Sequence, residues 1–299
     1  MKTFNQAIQC PGNVTLHIKR EDLIHPIISG NKFRKLKYNL LQAQSENHEK
    51  LLTFGGAFSN HIAAVACAAQ ENGFSSIGII RGDELSGNLL QNPTLEFAKK
   101  CGMQLVFVSR EDYRKKNTEN FIKGLETDFG QFYLLPEGGT NELAIKGCEE
   151  ILTCDDSDFD YICCAAGTGG TVAGIINTSA IAQRILVFPA LKGDFLQKEI
   201  TSYVSKNNWK VIKGYEFGGY AKTSPELISF INDFRRDTGV PLDPVYTGKM
   251  MFGVMDLINT GFFQDNSRIL AIHTGGLQGI EGMNIKLKKN QSPLIDIND

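Results

Sequence analysis

Short apolar runs alternate along the chain with segments whose apolar residues recur every three or four positions. The runs predict strands over 14–19, 50–54, 75–81, 104–108, 160–164, 184–190 and 267–274. The periodic segments predict helices over 31–44, with Leu36, Leu40 and Leu41 on one face, and over 59–72, 93–101, 171–180, 224–238 and 250–260. Strand followed by helix at this spacing predicts an α/β protein with largely parallel sheets. Residues 112–130 read as a polar stretch bordering two lobes, and the tail after 286 as polar and frayed. With no long linker between them, the lobes should pack together and share a cleft.

Composition narrows the partners. The 299 residues are 42% hydrophobic and 21% charged, which supports two folded domains of ~150 residues each. Lys and Arg total 31 against 33 Asp and Glu, so no broad basic surface for nucleic acid is expected. No apolar stretch reaches the ~18 residues of a membrane span, and the first residues lack an apolar leader. A cytoplasmic protein is expected, with no membrane partner. The seven cysteines are odd in number and form no C-x-x-C pair, so neither a disulfide framework nor a metal site is expected.

Glycine is concentrated in three loops that each follow an apolar strand: 55–61 (GGAFSNH), 167–171 (GTGGT) and 274–276 (TGG). Strand ends of parallel sheets are where ligands bind, and amides at a helix start suit a phosphate. The middle loop reads as a cup for one phosphate. Val172 stands where a dinucleotide fingerprint needs glycine, and no Gly-Lys-Ser/Thr follows as in a P-loop. The alternative is a tight turn that binds nothing. Lys32 opens a helix; taken alone it is a solvated lysine, and a catalytic role requires a neighbour that lowers its pKa.

Six blocks in order are more specific: Lys19-Arg20-Glu21-Asp22-Leu23, Gly30-Asn31-Lys32-x-Arg34-Lys35-Leu36, Gly56-x-x-Ser59-Asn60-His61, Gly167-Thr168-Gly169-Gly170-Thr171, Asp243-Pro244-Val245-Tyr246-Thr247-Gly248-Lys249 and His273-Thr274-Gly275-Gly276. Together they resemble the 1-aminocyclopropane-1-carboxylate deaminase and D-cysteine desulfhydrase family of pyridoxal-phosphate (PLP) enzymes over about residues 14–279. The resemblance implies a two-domain, three-layer α/β/α architecture of the tryptophan-synthase-β-like type II fold. Residues 1–35 and 138–299 would form the PLP-binding domain and 36–137 the smaller one, with the site between them. It implies that Lys32 bonds covalently to PLP, that Asn60 faces its 3′-oxygen and that Gly167, Thr168, Gly169, Gly170 and Thr171 hold its phosphate. Thr247 and Thr274 would lie near the pyridine nitrogen. Ser59, Asn60, His61, Tyr220 and Tyr246 would meet a small amino-acid substrate, with Lys32, Ser59, Tyr220 and Tyr246 in catalysis. A homodimer is expected.

Two departures bear on the substrate. Phe58 stands where the family usually has Gln, and Ile62-Ala63-Ala64 replaces a polar, often Arg-containing segment. Relatives that open the cyclopropane ring resemble one another in placing Glu after the tyrosine and tend to carry Leu at the second position; this chain has Thr247 and Thr274. A hydroxyl can donate to an unprotonated nitrogen without enforcing its protonation. The resemblance therefore implies elimination from D-cysteine to pyruvate, sulfide and ammonia ahead of ring opening to 2-oxobutanoate and ammonia. The remaining alternative is a non-catalytic domain that binds a phosphorylated metabolite.

Overall fold

The computed structural model describes residues 3–297, and of residues 88–91 the backbone alone. Ten strands form two sheets. The larger contains β1 (Asn5–Ile8), β2 (Thr15–Lys19), β7 (Tyr161–Ala166), β8 (Arg184–Pro189), β9 (Trp209–Val211) and β10 (Arg268–Ile272), in the order β1-β2-β10-β7-β8-β9. The smaller contains β3 (Lys50–Gly55), β4 (Ser75–Arg81), β5 (Gln104–Val108) and β6 (Tyr133–Leu135), in the order β5-β4-β3-β6. Every pairing is parallel except β1 with β2.

The helices are α1 (Asn31–Ser45), α2 (Asn60–Glu71), α3 (Pro93–Lys100), α4 (Arg110–Arg114), α5 (Glu119–Phe129), α6 (Glu142–Cys148), α7 (Gly170–Thr178), α8 (Phe195–Thr201), α9 (Pro225–Thr238), α10 (Thr247–Asn259) and α11 (Gly279–Lys289). Alternate residues of β7 take opposite faces of the large sheet. Tyr161, Cys163 and Ala165 pack on α9, α10 and α11, and Ile162, Cys164 and Ala166 on α7 and α8. The small sheet is covered in the same way, by α1, α2 and α3 on one face and by α4 and α5 on the other. Helices over both faces give the expected three-layer α/β/α arrangement.

Two expectations are corrected. Residues 112–130 do not border the lobes: they form α4 and α5, which cover the small sheet. Phe121, Ile122, Leu125 and Phe129 supply an apolar stripe at helical spacing inside a charged segment. The tail does not fray at 286. Leu287 is buried on α11, and Ile295 returns to the core, its main chain exchanging two hydrogen bonds with the Asn284 carboxamide. The divisions drawn at residues 36 and 137 fall inside α1 and in the Glu137–Gly139 turn. Among the described residues no helix is long and apolar enough to cross a membrane.

Candidate active site

The three glycine loops converge at the carboxyl ends of β3, β7 and β10. There a cleft with about 650 Å³ of open space, part of it open to solvent, is lined by Lys32, Lys35, Asn60, residues 165–169, Thr171, Tyr246, residues 274–276 and Gln278. Gly30 brings Lys32 to it. With φ of 60°, Gly30 ends the preceding loop so closely against β10 that any Cβ would run into the Thr274 carbonyl. Asn31 N–H then donates to that carbonyl at 3.2 Å, and α1 starts with Lys32 over the cleft.

Gly169, at φ 83°, is the left-handed residue that starts α7, and the loop 167–169 and Thr171 line the cleft at that helix start. Asn31 Nδ2 donates to Thr171 Oγ1 at 2.8 Å and ties the starts of α1 and α7 together. Lys35 sits one turn after Lys32 on the same face. It is buried, and its Nζ donates to Thr140 Oγ1 at 2.9 Å and to the Gly138 carbonyl at 3.0 Å. The Thr140 and Thr168 hydroxyls lie 2.6 Å apart, which links this cation to the loop. A loop of amides, a helix start and a buried ammonium form an anion site.

Burial, and next the Lys35 charge, lower the Lys32 amine to about 7, while Cys148 and Asp243 oppose the shift. Its hydrogen bond is to Asn31 Oδ1 at 3.3 Å. Tyr246 lies against Gly167, where a Cβ would come within 3.2 Å of its ring. Burial, then Tyr220, raise the Tyr246 phenol well above its ordinary value. The Tyr220 ring stands edge-on to it at 6.3 Å; burial also raises its phenol, although the whole residue is 48% exposed.

The residues fit a phosphorylated aromatic cofactor. Two carboxamides at the cleft, Asn60 and Gln278, have Oδ1 and Oε1 buried without a partner among the described residues. Such groups cost about 1–3 kcal/mol each until something meets them.

Other expected site residues lie outside the lining. Ser59 caps α2, its Oγ accepting from Ile62 N–H at 3.4 Å. His61 is buried behind the loop, with Nε2 2.9 Å from Thr53 Oγ1; Thr53 donates to the Leu135 carbonyl, so His61 Nε2 carries the proton. Burial and then Lys32 hold this imidazole well below its usual value. Gly170 packs under Thr140, and Tyr220 stands outside, behind Tyr246.

Thr247 requires a correction: it does not face the cleft with a free hydroxyl. Its Oγ1 donates to Asp243 Oδ1 at 2.8 Å and accepts from Asp243 N–H at 2.9 Å. The reason is the turn into α10, where the buried Asp243 carboxylate collects the N–H groups of Val245, Tyr246 and Thr247. Thr274 does line the cleft, and its hydroxyl makes no hydrogen bond among the described residues. Lys35 is not among the site residues expected from the sequence. Its spacing of three from Lys32 was the available signal, since such residues share a helix face.

The chain matches the family described as pyridoxal-phosphate dependent enzyme over residues 2–275. It is 32% identical to the mitochondrial bifunctional D-cysteine desulfhydrase/1-aminocyclopropane-1-carboxylate deaminase of Arabidopsis thaliana, covering 90% of this chain and 74% of that one. It is 27% identical to the 1-aminocyclopropane-1-carboxylate deaminase of Rhizobium rhizogenes, covering 91% and 89%. A solved ACC deaminase homologue matches with a TM-score of 0.81 at 28% identity, over 97% of this chain and 94% of that one.

Proposed function

Because the chain belongs to the pyridoxal-phosphate dependent enzymes, in the group of 1-aminocyclopropane-1-carboxylate deaminases and D-cysteine desulfhydrases, we propose that it is a lyase that eliminates sulfide from D-cysteine in preference to opening the cyclopropane ring. One observation carries the preference. Among the described residues no carboxylate lines the cleft, and the Thr274 hydroxyl there makes no hydrogen bond. Without a carboxylate beside it, the pyridine nitrogen is not held protonated, and the electron sink is weak. Elimination tolerates a weak sink because thiolate leaves readily, whereas an unactivated cyclopropane needs a strong one.

Bound PLP supplies the electron sink that makes the Cα proton removable. Lys32 would be the residue that holds it covalently, and its amine, when free and neutral, would take the Cα proton. The loop amides and Lys35 would hold the phosphate, and Asn60 would face the 3′-oxygen. Tyr246 and Tyr220 have raised values, so both remain protonated at neutral pH; Tyr246, at the cleft wall, would donate to the departing sulfur, with Tyr220 behind it orienting its ring. The Cα–H and C–S bonds break, sulfur leaves with the bonding pair, and water then releases pyruvate and ammonia.

The test is kcat/KM on both substrates. Pyruvate from D-cysteine should exceed 2-oxobutanoate from the cyclopropane amino acid by about tenfold or more, equivalent to about 1.4 kcal/mol. Faster 2-oxobutanoate release would overturn the preference. Ring opening is the second reading, supported by the paired tyrosines and by what the relatives are called.

The Lys32 shift gives a pH prediction. Below about 7 the amine is protonated and cannot attack the PLP aldehyde. Covalent capture by the PLP-free protein should slow about tenfold per pH unit below 7 and level off above it, as followed by absorbance in a stopped-flow mixer. The sign for stability follows. The folded value lies below the unfolded 10.5, so the unfolded chain binds more protons between about 7 and 10.5, and the Lys32 contribution to stability rises with pH across that window. A flat capture rate from pH 5.5 to 8.5 would contradict the assignment.

A further inference from the structure

The loop between β9 and α9 carries Tyr220 on an unusual backbone. Gly214, Phe217, Gly218, Gly219 and Ala221 have φ of 104°, 48°, 89°, 107° and 51°. Phe217 and Ala221 bear a Cβ in the left-handed region, a conformation that persists only where surrounding contacts impose it. Those contacts come from α10. The Phe217 ring meets Phe252 edge-on at 5.0 Å, and the Tyr215 hydroxyl donates to Asp256 Oδ2 at 2.6 Å. Between them, Lys249 Nζ donates to the carbonyls of Glu216 and Gly219, both at 2.8 Å.

Lys249 is 2% exposed and has no ion pair among the described residues. An ammonium buried without a directly paired carboxylate is costly to hold: burial lowers its amine to about 8, while the charges of Asp243 and Glu216 oppose the shift. Both of its hydrogen bonds go to one loop, one on either side of the left-handed pair Phe217 and Gly218. Lys249 also stands three residues after Tyr246, the residue that starts α10. The same helix turn therefore holds Tyr246 directly and the Tyr220 loop through Lys249, and it sets the two rings edge to face.

We propose that Lys249 is a positioning residue: its buried ammonium clamps the 214–222 loop onto α10 and so fixes Tyr220 against Tyr246. The consequence for turnover rests on the role of Tyr220 proposed above. In the PLP-loaded protein, Lys249→Met should raise amide hydrogen exchange across 214–222 by about tenfold or more while β7 and α7 keep their protection. It should lower kcat on D-cysteine about as far as Tyr220→Phe does, with PLP absorbance unchanged because Lys32 and the phosphate loop are untouched. The double variant should lose no more than about threefold beyond either single variant, since both remove one device. Lys249→Gln keeps a donor and should recover part of the protection; it also decides the question if the Met variant fails to fold. Wild-type exchange across 214–222 in a folded Lys249 variant overturns the clamp, and so do losses in kcat that multiply. If Tyr220→Phe alone leaves kcat unchanged, it is the role of Tyr220 that falls, and the exchange data then decide the clamp by themselves.

Discussion

A Lys32→Ala protein should fold, lose the visible absorption of covalently held PLP and turn over D-cysteine about 10³-fold more slowly or worse. The size of the effect follows from what one amine does there. It lines the cleft, is poised near neutrality, and makes its hydrogen bond to the adjacent Asn31 side chain, which leaves it free to react. Folding should survive because alanine is a better helix former and the change removes a cation that is costly to bury. The melting temperature of the PLP-free variant should therefore equal or exceed that of the wild type. Lys35→Ala is the control. That lysine tethers Thr140 beside the phosphate loop, so its loss should weaken PLP affinity while leaving the covalent band in protein saturated with PLP. Absorption spectra with steady-state rates for both variants are the measurement. A Lys32→Ala protein that keeps the band and its turnover would place the reactive lysine elsewhere.

Gly169→Val should weaken PLP binding by about a hundredfold or more while the protein still folds. Valine at φ 83° is strained by about 1–3 kcal/mol, and its Cβ would press on Ile200 of α8 at 3.2 Å. The backbone would relieve both by rotating the loop amides proposed to meet the phosphate, so the loss should appear in affinity more than in stability. Gly239→Val separates the two effects. Gly239 ends α9 at φ 69°, also left-handed, with nothing within 4 Å of its missing Cβ. It should lower the melting temperature by an amount like that of Gly169→Val and leave PLP affinity unchanged. Equilibrium PLP titrations and thermal melts of the two variants decide this, and equal PLP affinities would show that the phosphate sits elsewhere.

Much of this protein is legible in its sequence because its signals are local. The unbroken apolar run from Tyr161 to Ala166 marks a strand buried on both faces, and the Ala-rich run after Ser59 marks a helix covered all round. The Gly-Asn-Lys block places Lys32 on the first turn of α1, because Gly30 must break the chain there. What stayed hidden depends on neighbours distant in sequence. The cleft draws on the ends of β3, β7 and β10 and the starts of α1, α2 and α10, and no pattern within one segment shows that these meet. Lys35 becomes part of the anion site only when Thr140 and Thr168 arrive beside it, and Lys249 a clamp only when the Tyr220 loop folds back on α10. Thr247 is the sharpest case. The sequence fixes a hydroxyl at that position, but the Asp243 turn decides where the hydroxyl points, and it points away from the cleft. Residue type and period are set along the chain, whereas the partner of a short polar side chain is set by whichever buried group lies within about 3 Å of it after folding.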